Sequence, residues 1–352
     1  MIKGEQKVNT EQDYRAITID SSSSLKDFSL DRKKYHRKYI LHESVEEKES
    51  QAILMGKMVE TLLMEPELFD DRFFMSSCAS IPTGIMLNFV EALYEATRDA
   101  TNENGDVEIT FESLSKDAYE KSGFKLPYAT VIKKFIDSDA EVYYNEIRTV
   151  RANNLSVVNT QDVTNAEKIV AELTNNFVTK DIVSLADDER YTILNQFQIG
   201  EYELDGHKFK SMLDKVVIDH EKSTVQIYDL KCTWAVENFY KEYYLYRRAY
   251  IQGYLYYKAM DELSYDESLN FYGYEILPPK FIVCDSINYY NPLIYSLTEN
   301  DLMEAYEGFE YNGWKYKGVK DIITDLKWAL EVDVWNISRE NYLTNGVVNI
   351  KE

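Results

Sequence analysis

Phe209–Lys231 reads FKSMLDKVVIDHEKSTVQIYDLK, two strand-like runs, Phe209–Ile218 and Val225–Lys231, joined by the polar turn Asp219–Thr224. Centring that turn between Glu221 and Lys222 sets an antiparallel register in which Asp214 stands opposite Asp229. Directly opposed residues have Cβ atoms roughly 4.5–5.5 Å apart, and like charges there destabilise a sheet. A positive group is therefore expected between them. Lys231, two residues beyond Asp229, shares its face because strand side chains alternate. Met212, Asp214, Val216 and Ile218 lie on that face, opposite Val225, Ile227, Asp229 and Lys231. Carboxylates among such apolar neighbours are costly unless paired or metal-bound. Two facing carboxylates with an adjacent amine suit a divalent cation and a nucleophilic water. A surface hairpin with an Asp–Lys salt bridge is the simpler reading of the same residues.

Outward from the hairpin, Gln196–Leu204 runs through the turn signal Asp205-Gly206 into Lys208–Ile218, which makes a three-strand meander. A Tyr-rich helix follows at Phe239–Met260. On it Gln252 and Tyr256 stand at i,i+4, with Arg248 one turn earlier and Ala259 one turn later. That stripe either positions Lys231 or holds a nucleic-acid strand, or else is a packing face with a satisfied amide. Phe281–Ile287 reads as a strand, and Glu299–Gly308 and Lys320–Leu330 as helices. Asp325-Leu326-Lys327 repeats the tripeptide Asp229-Leu230-Lys231 inside the last of these, where it reads as a solvated helix face.

Upstream, Ser21–Ser24 caps a helix whose apolar stripe is Leu25, Phe28, Tyr35 and Tyr39. Ser50–Met64 is a second helix, stopped before Pro66, with Ile53, Gly56, Glu60 and Leu63 or Met64 on one face. Glu60 is thus a carboxylate in an apolar stripe, and Gly56 would let the helix approach another backbone. From Pro82 to Asp181 the pattern is helical, with segments near Gly84–Ala100, Phe111–Gly123, Ala129–Ile136, Ala140–Thr149 and Gln161–Val178 and a turn at Thr101–Asp106. The expected organisation is an N-terminal helical part at 1–80, a helical insertion at 81–185 and a core with C-terminal helices at 186–352.

The 352 residues are 45% hydrophobic and 28% charged, ordinary for a globular chain. With 29 tyrosines against 6 prolines, aromatic packing must supply much of the core. No apolar run approaches the roughly 18 residues of a membrane span, and the start lacks the basic-then-apolar order of a signal peptide, so a cytoplasmic location is expected. The 3 cysteines, Cys78, Cys232 and Cys284, are too few for a four-cysteine cluster. With 13 glycines and no G-x-x-x-x-G-K, a nucleotide-binding phosphate loop is absent. A net charge of −22 argues against broad adhesion to nucleic acid. Any DNA contact must be local, at Arg32-Lys33-Lys34 with Arg37-Lys38, at Lys133-Lys134 or at Arg247-Arg248. The same charge suits a non-catalytic acidic DNA mimic or scaffold.

The order Gly56-x3-Glu60, Asp214, Asp229-x-Lys231, Gln252-x3-Tyr256 resembles the PD-(D/E)XK nuclease superfamily in its RecB-like branch, and most of all RecE-type (exonuclease VIII-like) phage exonucleases, relatives of lambda exonuclease. The resemblance implies an α/β, restriction-endonuclease-like core with a mixed central sheet flanked by helices, and Mg²⁺- or Mn²⁺-dependent hydrolysis of DNA from duplex ends. A structure-specific endonuclease uses the same core. Carried over by motif, Asp214, Asp229 and the Leu230 carbonyl would be metal ligands with Glu60 as a further one. Lys231 would orient or activate water, and Gln252 and Tyr256 would support it and the DNA strand, with Arg247 and Arg248 as DNA contacts. Two departures stand out: Glu60 where relatives often have His, and Gln196 or Gln198 where they often have Glu. The resemblance also admits a single-strand annealing protein and further copies of the chain as partners, and no membrane.

Overall fold

The alternating runs around the Asp219–Thr224 turn form the middle of a five-stranded sheet in the computed structural model. Its strands are β1 (Tyr191–Leu204), β2 (His207–Asp219), β3 (Thr224–Thr233), β4 (Glu275–Asp285) and β5 (Leu293–Ser296), in the order β1-β2-β3-β4-β5. All neighbours are antiparallel except β3 and β4, so the sheet is mixed. Lys215 through Asp219 pair with Tyr228 through Thr224 in the register that the turn predicted. The structure describes residues 11–43, 50–101, 107, 109–153, 155–287 and 291–348.

Five helices matter to the site: α1 (Ser22–Leu30), α2 (Gln51–Met64), α3 (Ala249–Leu263), α4 (Glu299–Glu307) and α5 (Val319–Val332). Ser21 and Ser24 form a reciprocal capping box that starts α1. Helix α3 packs on β4, β2 and β1, and on α1 and α4. Gly253 permits this approach, since a Cβ there would lie 2.8 Å from Leu297 Cδ1 and 3.5 Å from Phe281. The core joins Leu25 and Phe28 of α1 to Val216, Ile218, Val225 and Ile227 of the sheet and to Tyr250, Ile251 and Leu255 of α3.

Several expectations are corrected. The helix predicted at Phe239–Met260 is broken: Tyr240–Tyr246 is π-helical, and Arg248, at φ +54°, turns the chain into α3. Stacked Phe239–Tyr243 and Tyr240–Tyr244 pairs keep the i,i+4 pattern through the π-helical turn, which hides the break from periodicity. Strand β4 begins at Glu275, six residues before the predicted start, because Pro278 and Pro279 disguise it. A register irregularity between Gln226 and Tyr228 absorbs them, with Gln226 Nε2 donating to the Pro278 carbonyl at 2.9 Å.

Asp325 is not on a solvated face. It is buried in α5, where Lys317 Nζ donates to it at 2.8 Å and Arg32 and Arg339 stand at 3.9 and 4.0 Å.

The chain divides into two compact units, residues 1–56 with 171–352, and residues 57–170. The second unit overlaps the helical insertion expected at 81–185. Taken by itself, it holds helices Gly84–Asp99, Phe111–Ser122, Tyr128–Phe135 and Asp139–Val150 and a two-stranded parallel sheet of Phe73–Met75 with Ser156–Val158. Phe89, Leu93, Val131, Phe135 and Ile147 form its core. Arg151 clasps Glu91 through both carboxylate oxygens at 2.6 and 2.8 Å. Of the turn expected at Thr101–Asp106, residues 102–106 lie outside the described residues.

Candidate metal and nuclease site

The pairing of β2 with β3 ends at Lys215 and Tyr228, one step before the two aspartates come opposite each other. Beyond that step β2 goes on pairing with β1, and β3 with β4. At the fork the Leu230 N–H donates to Asp214 Oδ2 at 2.8 Å, so a side chain takes the place of a backbone acceptor. Two like charges directly opposed across a ladder would repel, and parting the strands there relieves the repulsion.

Asp229 is 1% exposed and Asp214 9%. The Lys231 ammonium lies against Asp229 Oδ2 and donates to the Leu230 carbonyl at 3.5 Å. Its contact with Oδ2 lacks hydrogen-bond geometry, so this buried oxygen has an ion-pair partner but no directed donor. Asp229 Oδ1 accepts from Gln252 Nε2 at 2.8 Å, and the same amide nitrogen donates to the Tyr256 hydroxyl at 2.8 Å. The i,i+4 spacing on α3 thus ends in one hydrogen-bonded chain on the Asp229 carboxylate. Burial, with the Asp229 and Asp214 charges added to it, holds Tyr256 well above the ordinary phenol value. That ring therefore feels both carboxylates at once.

Lys26, on α1, is a residue that sequence reasoning passed over. Its Nζ donates to Gln252 Oε1 at 3.2 Å, which fixes the amide with its nitrogen end toward Asp229. Burial first and the Lys231 charge second pull the Lys26 amine down to about 8, against the upward pull of Asp229 and Asp27. A lysine between buried Leu25 and Phe28 carried no signal, because helix surfaces hold many such residues.

On β1, Gln196 falls between the pairs Asn195–Lys215 and Phe197–Leu213, at the register position of Asp214, and adopts φ +46°. Gln198 pairs with Met212, and its Oε1 is buried without a hydrogen-bond partner. The glutamines singled out in the sequence thus flank Asp214 on the neighbouring strand.

The two arginines part company. Arg247 is exposed, lies over the Tyr243 ring at 4.4 Å and acts electrostatically on Lys26. Arg248 precedes α3 in a left-handed conformation; burial pulls its guanidinium down, against the Tyr250 and Tyr316 rings. Among the other basic candidates, Lys34 and Lys38 both pair with Asp27, and Arg37 with Glu43. Helix α2 crosses the border of the two units, which falls after Gly56, and half-buried Glu60 belongs to the second. Its buried residues include Leu54, Met55, Met58, Val59 and Met64, while Ile53 is 51% exposed, so of the predicted stripe Met64 is buried and Ile53 is not. At Gly56 a Cβ would meet Cys232 Cβ at 3.8 Å, an ordinary contact that does not require glycine.

Cys232 and Cys284 stand opposite each other on β3 and β4 with sulfurs 3.1 Å apart, and the Cys232 hydrogen bond together with burial pushes the Cys284 thiol up. A cavity of about 690 Å³ lined by Asp20, Tyr35, His207 and Lys210 includes none of the aspartate-site residues. Its Asp20 is already satisfied by Tyr35 and His207 at 3.0 and 2.8 Å. No grouping of three His, Cys, Asp or Glu residues suited to a metal occurs among the described residues, so any cation here would rest on two carboxylates and a carbonyl within the first unit. Those are hard oxygen donors, the kind Mg²⁺ and Mn²⁺ prefer. The Lys231 ammonium already touches two of them.

No family model matches the chain, and no curated protein matches it. Among solved structures it is similar to a crystal structure from Eubacterium rectale named "Putative exonuclease", at 14% identity and a TM-score of 0.47, with 99% of this chain and 96% of that chain covered. No described helix is long and apolar enough to cross a membrane.

Proposed function

We propose that this chain is a divalent-metal-dependent nuclease of the PD-(D/E)XK kind, hydrolysing DNA from duplex ends in phage recombination or DNA processing. One observation carries the reading: a lysine ammonium held against a buried carboxylate oxygen and a neighbouring carbonyl, at a fork between strands that each bring an aspartate. Asp214, Asp229 and the Leu230 carbonyl would hold Mg²⁺ or Mn²⁺. A bound ion would lower the pKa of a water and draw charge from the scissile phosphate.

The chain's own groups divide the remaining work. Gln252 grips Asp229 through Oδ1, and Oδ2, which faces the Lys231 ammonium, is the edge that a metal would share with that lysine. Tyr256 and Lys26 hold the two ends of that amide. Lys231 orients the attacking water and offsets charge on the phosphate. Lys26 and Arg247 add local positive charge, which a chain of net charge −22 needs in order to hold a phosphate backbone. Arg248, being largely enclosed, contributes less to DNA binding than its neighbour.

Purified protein incubated with end-labelled linear duplex and with covalently closed circles, with and without Mg²⁺, tests the proposal. Linear DNA is degraded only with Mg²⁺, and closed circles survive. Rapid linearisation of circles would assign a structure-specific endonuclease instead. DNA neither bound nor cut would favour the non-catalytic acidic reading.

A further inference from the structure

We propose that Cys232 and Cys284 form a redox-active pair that closes to a disulfide beside Lys231. They are register partners on the parallel strands β3 and β4, with sulfurs 3.1 Å apart. Neighbouring strands lie about 4.8 Å apart, within the Cα separations of about 4.4–6.8 Å that a disulfide spans. Closing the bond brings the sulfurs about 1 Å nearer to each other. The two thiols differ in access, since Cys284 is 3% exposed and Cys232 is partly open. Gly56 faces Cys232 without a side chain to cover it.

With hydrogen peroxide as oxidant, Cys232 gives up its proton and the thiolate attacks one peroxide oxygen; the O–O bond breaks to give Cys232 sulfenic acid and hydroxide, which takes up the released proton as water. The Cys284 sulfur then attacks the Cys232 sulfur and expels hydroxide, which takes the Cys284 proton and leaves as water. Two thiols and one hydrogen peroxide thus become one disulfide and two waters. Cys78 lies in the other unit, buried and donating to the Asp139 carbonyl, and has no part in the step. Cys232 directly follows Lys231, and Cys284 Sγ lies 3.6 Å from the Lys231 carbonyl. Closing the bond draws in the strand segment that aims Lys231.

The test treats the full chain with hydrogen peroxide, alkylates the remaining thiols and maps the peptides by mass. The expected result is an intramolecular link between the Cys232 and Cys284 peptides, reversed by dithiothreitol, with Cys78 still alkylated. Cys78→Ser should give the same link, whereas Cys284→Ser should leave Cys232 as an unlinked oxyacid. Nuclease activity of the linked protein should fall several-fold and recover on reduction. Both thiols left free at a dose that oxidises cysteine in solution, or links only between molecules, would overturn the proposal. The mass readout decides it even in a preparation without nuclease activity, so its failure is separable from failure of the nuclease reading.

Discussion

Asp229-Leu230-Lys231 and Asp325-Leu326-Lys327 are the same tripeptide, and both aspartates are buried, yet their charge is met in opposite ways. In β3 the i,i+2 spacing puts Lys231 on the face of Asp229, where they pair. In α5 the same spacing sends Lys327 away, to the Asp205 carbonyl at 3.0 Å. Asp325 is instead surrounded by Arg32, Lys317 and Arg339, which leaves it an excess of positive charge. Asp229 faces a second carboxylate and two lysines. An excess of cations makes a structural clamp; a near balance among oxygens leaves room for a further cation.

Swapping the lysines separates the two copies most sharply. Lys231→Met should lower DNA cleavage by more than the 10–100-fold typical of losing a metal site's outer partners. It should also make thermal stability rise with added Mg²⁺ more than in wild type, because Asp229 then lacks its ammonium. Lys327→Met should leave both properties near wild type. Comparable cleavage by the two variants would erase the distinction.

Gln252→Leu should cost about 10–100-fold in cleavage, since Asp229 Oδ1 loses its donor, while the far-UV spectrum stays unchanged. A wild-type rate would make Gln252 a packing residue.

Asp325→Asn should destabilise by about 2 kcal/mol, between the exposed-pair and buried-pair ranges, because its cationic partners are only partly buried. Urea unfolding measures the loss. The folded variant should cleave at the wild-type rate, and a catalytic defect at full folding would place Asp325 in the site.

The smallest effect is a pH dependence. The Lys26 amine sits at about 8 in the folded chain against an ordinary 10.5, so between those values the unfolded chain holds a proton that the folded chain has released. Stability should therefore rise with pH across that window relative to Lys26→Met, and below about pH 8 the enclosed charge should cost its full penalty. Urea midpoints of the two proteins in chelator, taken near neutral pH and again inside the window, read this out. A constant difference would mean that Lys26 titrates normally.

How legible the site was depended on sequence distance. Strand register followed from one turn, and alternation then put Lys231 beside Asp229, because both are consequences of local geometry. The Gln252–Tyr256 pair was visible because helical spacing is local too. Lys26 was not: its partner Gln252 lies 226 residues away. The burial of Asp325 was hidden likewise, since Arg32 reaches it from the opposite end of the chain. Strand β5 and the hairpin Gly308–Tyr311 with Trp314–Lys317 span four residues per strand, too few to show a period. Arg248 misled because periodicity does not report a left-handed residue at a helix start.

The most direct test follows release of end label from a linear duplex across a Mg²⁺ titration, comparing wild type with Asp229→Asn at equal folded concentration. The account predicts Mg²⁺-dependent release by wild type, none in chelator, and none above background for Asp229→Asn at any Mg²⁺ concentration. Equal release by the two proteins, or wild-type release that persists in chelator, would contradict it.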